Sequence, residues 1–166
     1  MPKFYPLKVK DLYKDTEQCS VIEFDMPEDL KDKFKYKAGQ YLTLRETING
    51  EDIRRSYSLC SSPIDNEWKV AVKEIPDGKF STHVNQFLKK DDTLQVMKPM
   101  GRFGTAISEI PKNYIVFTAG SGITPILSMI KTHLAKEPNS TFKLFYLNRT
   151  VKTIIFKEEI EQLRNQ

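Results

Sequence analysis

Cysteine is scarce in this chain, with Cys19 and Cys60 the only two among 166 residues. They lie far apart without paired spacing, which excludes a disulfide framework and a zinc or iron–sulfur site built within the sequence. Histidine is as rare, and His83 and His133 lack a second ligand at metal spacing, so roles at the surface or on a helix face are expected of both. No hydrophobic run approaches the length of a membrane span, and the opening "MPKFYPLKVKDLYKD" lacks the basic segment, apolar run and small-residue cleavage site of a secretory signal. A soluble chain is expected, retained in a reducing cytoplasm and making no membrane contact. A surplus of one charge is missing too. The 26 Lys and Arg against 22 Asp and Glu leave +4, and the signs interleave, as in "KDLYKDTE" and "EDLKDKFK". That gives little pull on nucleic acid.

A composition of 39% hydrophobic and 11% aromatic residues can fill a core, and two patterns divide the chain. From Phe4 to about Met100, short apolar runs alternate with turn chemistry. "YLTLRETI" meets "RRSYSL" across Asn49-Gly50, a pair suited to a tight hairpin because both positions tolerate positive φ. "EWKVAVKEI" and "TLQVMKPM" follow further turn segments. About six strands at this spacing predict an antiparallel β-barrel. One helix interrupts it at "STHVNQFLKK", with Val84, Phe87 and Leu88 expected on one apolar face. Trp68 is expected to anchor the barrel, and Cys60 to pack as a small apolar residue.

After "MGRFG" the order becomes strand, helix, strand, helix. "YIVFT" and "FKLFYLN" read as strands of a parallel sheet, the first buried on both faces. Ile126, Ile130 and Leu134 mark one amphipathic helix; Phe156, Ile160 and Leu163 mark the next. Two strands and two helices fall short of a complete doubly wound sheet. The expected organisation is a barrel domain over residues 1–108 and a partial α/β nucleotide-binding domain over 109–166, read as truncated.

"AGSGITP" lies between a buried strand and a helix, where backbone N–H groups can hold a phosphate. Gly120 and Gly122 allow close backbone approach, and Pro125 suits the first helical turn. At the end of the next strand, where a 2′-hydroxyl reader would carry Asp or Glu, stand Asn148 and Arg149. A guanidinium fork there suits a 2′-phosphate. "PDGKFSTHV" offers a second helix start, with Ser81 or Thr82 as candidate N-cap or anion ligand. In "RRSYSLCSSP", strand alternation puts Arg55 and Tyr57 on one face, Ser56 and Ser58 on the other, and Pro63 ends the strand. An arginine beside an aromatic ring suits a ligand with both a phosphate and a flat ring system. A polar edge strand guarded against pairing with other chains fits the same spacing.

Taken together, "RSYS", "GKFST" and "AGSGITP", in that order and with "FKYKAGQYLTL" and "MKPMGRFG", resemble the flavin and pyridine-nucleotide motifs of the ferredoxin NADP reductase superfamily. The resemblance covers nearly the whole chain. "GKFSTHVNQFLKKDDTLQVMKPMGRF" and "YLNRTVKTIIFKEEIEQL" are most similar to the family of reductase components of phenylacetyl-CoA oxygenase systems.

The resemblance implies that Arg55 binds the FAD pyrophosphate, Tyr57 stacks on the isoalloxazine, and Ser58, next to Ser56 in the motif, hydrogen-bonds near N5. Val72 and Lys73 would add contacts, and Lys79, Phe80, Ser81 and Thr82 would hold phosphates. Gly120, Gly122 and Thr124 would lie against NADPH, with Asn148 and Arg149 at its 2′-phosphate. Tyr57, Ser58 and Thr124 would act in catalysis by orienting the rings. Electrons would pass from NADPH through FAD to an iron–sulfur carrier or ferredoxin domain serving an oxygenase component. The family's Cys-Gly-x motif and the cluster cysteines of its ferredoxin domain do not occur in these 166 residues, so any iron–sulfur cluster is expected elsewhere. A flavin-binding module without turnover and a nucleic-acid-binding barrel are the alternatives.

Overall fold

The computed structural model describes residues 3–164. Its first part is a six-stranded antiparallel sheet built from β1 (Phe4–Thr16), β2 (Cys19–Phe24), β3 (Tyr41–Ile48), β4 (Glu51–Ser58), β5 (Lys69–Lys73) and β6 (Thr93–Met97). The spatial order is β4-β3-β6-β1-β2-β5. The sheet curls so that its end strands approach, and the isolated bridge Leu59–Val70 joins the chain just after β4 to β5. The six strands therefore enclose a core without a continuous ladder closing the barrel. A short helix, α1 (Glu28–Lys31), follows β2, and α2 (Lys79–Gln86) is inserted between β5 and β6.

Local chemistry sets these boundaries. Asn49 and Gly50 both take positive φ, 51° and 82°, in the two-residue turn between β3 and β4, which matches the twist of the paired strands. Leu7, Ile22, Leu42, Leu44, Val70, Val72, Leu94 and Val96 are fully buried in the barrel core. Trp68 anchors its rim, the indole N–H donating to the Phe34 carbonyl at 2.8 Å.

The inserted helix departs from its expected pattern. Val84 and Leu88 are buried, but Phe87 is 62% exposed. The helix ends at Gln86, and the turned backbone at Phe87 (φ −121°) carries the ring off the apolar face, where it stacks on His83 at 6.3 Å. Neither Ser81 nor Thr82 is the N-cap. Gly78 occupies that position, and the Ser81 hydroxyl donates back to the Gly78 carbonyl at 3.0 Å.

The second part has β7 (Asn113–Ala119) and β8 (Thr141–Leu147), parallel and in register, with α3 (Ile123–Lys136) between them and α4 (Lys157–Leu163) after them. β7 is not buried on both faces: Tyr114 and Val116 are half-buried, whereas Ile115 and Phe117 are 64% and 70% exposed. Phe117 stacks on Phe145 at 4.7 Å on this open face. The apolar run has the composition of a doubly covered strand, but α3 covers one face only.

β2 shows why the two parts adhere. All six of its residues are buried, with Ile22 and Phe24 in the barrel core and Cys19 and Val21 in a second cluster formed with Cys60, Ala71 and Ile123, Ile126, Leu127 and Ile130 of α3. Burying an aliphatic side chain of this size is worth about 1.5 to 3 kcal/mol, so α3 is a second core layer on the outer face of the barrel.

Candidate functional site

Arg55 and Tyr57 lie opposite Leu44 and Leu42 on β3, and directly opposed residues of an antiparallel pair share a face. Both therefore project from the core side of the sheet, beside α2. Tyr57 is half-buried against Phe80 of that helix, ring centroids 5.8 Å apart, and loss of hydration on burial pushes its hydroxyl up to about 12. Arg55 is exposed; it donates from Nη1 to the Arg54 carbonyl at 2.7 Å and has no carboxylate partner among the described residues. Its neighbour Arg54 is by contrast paired to Asp52. A cation free to meet an anion thus stands two residues from a ring held at one side only.

The start of α2 closes over the same strand. Lys79 Nζ bridges to both carboxylate oxygens of Glu51, at the beginning of β4, at 2.7 Å. Phe80 is buried in the core, and the Ser81 hydroxyl, also buried, accepts from the Ile75 N–H at 3.3 Å. Neither side chain is free to touch a ligand; they fix the first turn of α2, whose N–H groups remain for an anion. Thr82 is half-buried on the outer side of that turn.

Ser56 and Ser58 face the other way. The Ser56 hydroxyl pairs with Thr43 at 2.9 Å. Ser58 is half-buried and makes no side-chain hydrogen bond among the described residues. The rest of "RRSYSLCSSP" has a different task. Ser61 and Ser62 are buried: Ser128 of α3 donates to the Ser61 carbonyl at 2.6 Å, and Ser62 pairs with Thr132 of α3 at 2.8 Å. One stretch thus places Arg55 and Tyr57 beside α2 at its start and fastens α3 at its end. Cys60 is buried between the two, which raises its thiol well above the ordinary range and leaves it inert.

The glycine loop faces the barrel. Gly120 has φ +50°, and Lys73 Nζ is the nearest group to the position its Cβ would take, at 4.0 Å. β5 accounts for this approach: Val72 points into the barrel core, fully buried, while Lys73 shares the outer face with Ala71. Val72 can offer a ligand only backbone, and its carbonyl already accepts from Asn85 at 2.9 Å. Lys73 has no ion pair among the described residues. At Gly122 a Cβ would come within 2.8 Å of the Thr118 hydroxyl, so close packing, not positive φ, demands glycine there. Thr124 is buried and donates to the Ser121 carbonyl at 3.0 Å, which tightens the turn into α3.

Two features of this part of the chain were not legible in the sequence. Tyr146, from β8, donates to the Gly120 carbonyl at 3.0 Å, and burial raises its hydroxyl to about 12. Its position beside the loop depends on the parallel pairing of β7 with β8, which no motif spells out. The other is Glu137, just past α3. It is buried and accepts from the Ser108 N–H at 2.7 Å, the Tyr114 hydroxyl at 2.8 Å, His133 Nδ1 at 2.8 Å and the Ser140 hydroxyl at 3.0 Å. Burial alone would raise its carboxyl, but these donors outweigh burial and hold it at about 2. His133 reaches onward to Thr105 at 3.0 Å. His133 is therefore a buried fastener of the segment joining the two parts, on a helix face as expected but not at the surface.

Asn148 and Arg149 follow β8 side by side. The buried Asn148 Nδ2 lies near the Tyr146 hydroxyl without a well-formed hydrogen bond among the described residues. Arg149 is exposed and makes no ion pair among the described residues. Nothing bridges this corner to Arg55; the structure brings together two groupings, Arg55, Tyr57 and the start of α2, and separately Lys73, the glycine loop, Tyr146 and Asn148. No group of three or more potential metal ligands occurs among the described residues, and no helix there is long and apolar enough to cross a membrane.

Comparison with known families shows what kind of domain holds these residues. Residues 6–104 match the model of the oxidoreductase FAD-binding domain, and residues 116–166 match that of the oxidoreductase NAD-binding domain. The chain belongs to the ferredoxin NADP reductase family. Among its relatives is a component of the 1,2-phenylacetyl-CoA epoxidase of Escherichia coli, 38% identical over 167 residues, covering all of this chain and 47% of that protein. The ferredoxin reductase component of 3-ketosteroid-9-alpha-monooxygenase from Rhodococcus rhodochrous is 37% identical, covering 95% of this chain and 44% of its own length. The chain thus spans about half the length of these curated relatives. Among solved structures, phthalate dioxygenase reductase superposes with a TM-score of 0.78 at 28% identity, over 95% of this chain and 47% of that one. The FAD/NAD-binding domain of nitric oxide dioxygenase from Vibrio cholerae gives 0.84 at 26% identity, over 100% and 71%. The barrel followed by a parallel sheet is the fold shared with these structures.

Proposed function

We propose that this chain forms the flavin-binding domain, and part of the nicotinamide-binding domain, of a reductase that moves electrons from NADPH to an iron–sulfur carrier serving an oxygenase. The domain boundary falls at 108/109 in this reading, next to the Ser108–Glu137 hydrogen bond. The observation that carries it is the pairing of the unpartnered Arg55 with the half-buried Tyr57 under the first turn of α2, in a chain of this family. Bound FAD supplies an acceptor for a hydride that returns electrons one at a time.

The residues of this chain act by position. Arg55 and the N–H groups at the start of α2 neutralise the pyrophosphate. Tyr57, braced by Phe80, lies against the ring system, and Ser58 offers its free hydroxyl to the ring edge. Lys73 and the loop of Gly120 and Gly122 receive the dinucleotide, and Thr124 holds the loop's turn. Hydride transfer needs no acid or base from the protein, so the task is alignment. The relatives from Escherichia coli and Rhodococcus rhodochrous are both named for oxygenase systems, which supports an oxygenase as the final acceptor, in the cytoplasm. Phenylacetyl-CoA chemistry is the specific case favoured by the relative from Escherichia coli.

The purified chain is expected to bind FAD with the visible absorption of a protein-bound flavin. A colourless protein that does not quench FAD fluorescence would leave only a barrel of other function, the nucleic-acid reading included. A chain that binds FAD but whose flavin is not bleached by NADPH without oxygen would be a flavin-binding module without turnover.

Arg149 supports NADPH over NADH, since an exposed guanidinium with no ion pair among the described residues suits a 2′-phosphate. Arg149→Glu is expected to lower the NADPH preference by about tenfold or more, the scale of one charge-assisted hydrogen bond. The ratio of the two dissociation constants measures this, and an unchanged ratio would return Arg149 to the solvated surface.

A further inference from the structure

The carbonyl at the head of the glycine loop has a side-chain partner on the sheet beneath it. Tyr146, next to last in β8, pairs in register with Thr118 of β7, and its ring packs against the cluster under α3. The Thr118 hydroxyl fills the space beside Gly122, where a Cβ would come within 2.8 Å of it. The Tyr146 hydroxyl donates to the Gly120 carbonyl at 3.0 Å. A tyrosine has one proton to give. The Ile155 carbonyl is the other acceptor within reach, at 3.4 Å, so the shorter bond to Gly120 takes that proton. The Asn148 amide lies near the same hydroxyl oxygen and, as a donor group, turns the proton away from itself towards the carbonyls.

The shape of a peptide unit gives this bond its consequence. In a trans peptide the C=O and the N–H of the next residue point in opposite directions. Holding the Gly120 carbonyl on Tyr146 therefore turns the Ser121 N–H away from that ring, on a loop whose Ser121 and Gly122 are exposed. Gly120 has φ +50° and no Cβ, so sterics offer little resistance to this peptide unit turning over. The Ile123 N–H reaches the same carbonyl but is shared with that of Ser121. A reversed unit would present a carbonyl, in place of an N–H, to a phosphate. We infer that Tyr146 is a positioning residue for the pyridine nucleotide: its hydroxyl locks the Gly120–Ser121 peptide with the N–H towards the pyrophosphate. This rests on the nucleotide reading above, and Tyr146 acts through the loop without touching the ligand.

The test is equilibrium binding to the chain, wild type and Tyr146→Phe, of NADP+, of adenosine 2′-phosphate, which lacks the pyrophosphate, and of FAD. Tyr146→Phe keeps the ring that packs under α3 and removes only the hydroxyl, so the variant should fold, which near-UV circular dichroism checks. It should weaken NADP+ by roughly 2- to 13-fold, the worth of one hydrogen bond, and leave adenosine 2′-phosphate and FAD unchanged. An unchanged NADP+ affinity would overturn the inference, whatever the melting temperature does. So would equal losses for NADP+ and adenosine 2′-phosphate, which would make Tyr146 a support of the whole strand end and not of one peptide unit. Failure of wild type to bind NADP+ would instead overturn the nucleotide reading on which the inference rests.

Discussion

Replacing Arg55 with alanine is expected to weaken FAD binding by about 2 to 4 kcal/mol, roughly a 30- to 1000-fold loss. The guanidinium has no carboxylate partner among the described residues, and its hydrogen bond goes only to the neighbouring Arg54 carbonyl. Removing it therefore breaks no ion pair of the fold, and the loss should appear in flavin retention while the melting temperature of the flavin-free protein stays put. Arg54→Ala is the control, because Arg54 is committed to Asp52 and should change flavin affinity little. Full retention of FAD by Arg55→Ala through gel filtration would remove Arg55 from the site. Equal losses in both variants would point to general surface charge instead.

Glu137→Ala should be the most damaging single change outside the barrel. It strips acceptors from the Ser108 N–H, the Tyr114 hydroxyl, His133 and the Ser140 hydroxyl at once, and buried donors left unpaired are costly. A fall in melting temperature of about 10 °C is expected for a chain of this size. The pH dependence gives a sharper signature. The Glu137 carboxyl is held at about 2 against an ordinary 4.5, so the folded state binds this proton less readily than the unfolded chain. Its stabilisation is therefore fully present above 4.5 and is lost as pH falls from there towards 2. Wild type should lose melting temperature steeply across that window. Glu137→Gln should start lower and fall less. Parallel curves for the two proteins would show that the carboxyl does not hold the segment joining the two parts.

How far the motifs could be read differed from residue to residue. The hairpin at Asn49-Gly50 was legible because two adjacent positive-φ positions admit few other sequences. The place of the glycine loop between strand and helix was legible, as was, from strand alternation, the face that Arg55 and Tyr57 share. Phe87 misled, because helical spacing assumes that the helix continues, and this one stops at Gln86. Ser81 misled as a cap because Gly78 begins the helix and the hydroxyl turns back upon it. Val72 and Phe80 sit in the motifs yet spend their side chains on the core, a division that depends on which strand face the barrel encloses.

The sequence by itself determined the local elements, the division into a barrel and a parallel α/β part, and the glycine loop between β7 and α3. These follow from periodicity, turn chemistry and the special backbone freedom of glycine, all of which act over a few residues. Only the tertiary structure decided that Ser61, Ser62 and the outer face of β2 belong to α3, that Lys73 faces the glycine loop, that Tyr146 holds it, and that Glu137 gathers donors from the joining segment and both flanks of α3. Most of those contacts join residues far apart in sequence, and they depend on how α3 packs on the barrel and on the parallel pairing of β7 with β8. The same packing leaves Ile115, Phe117, Phe145 and Leu147 exposed, because α3 buries one face of the β7–β8 pair and no described residue covers the other.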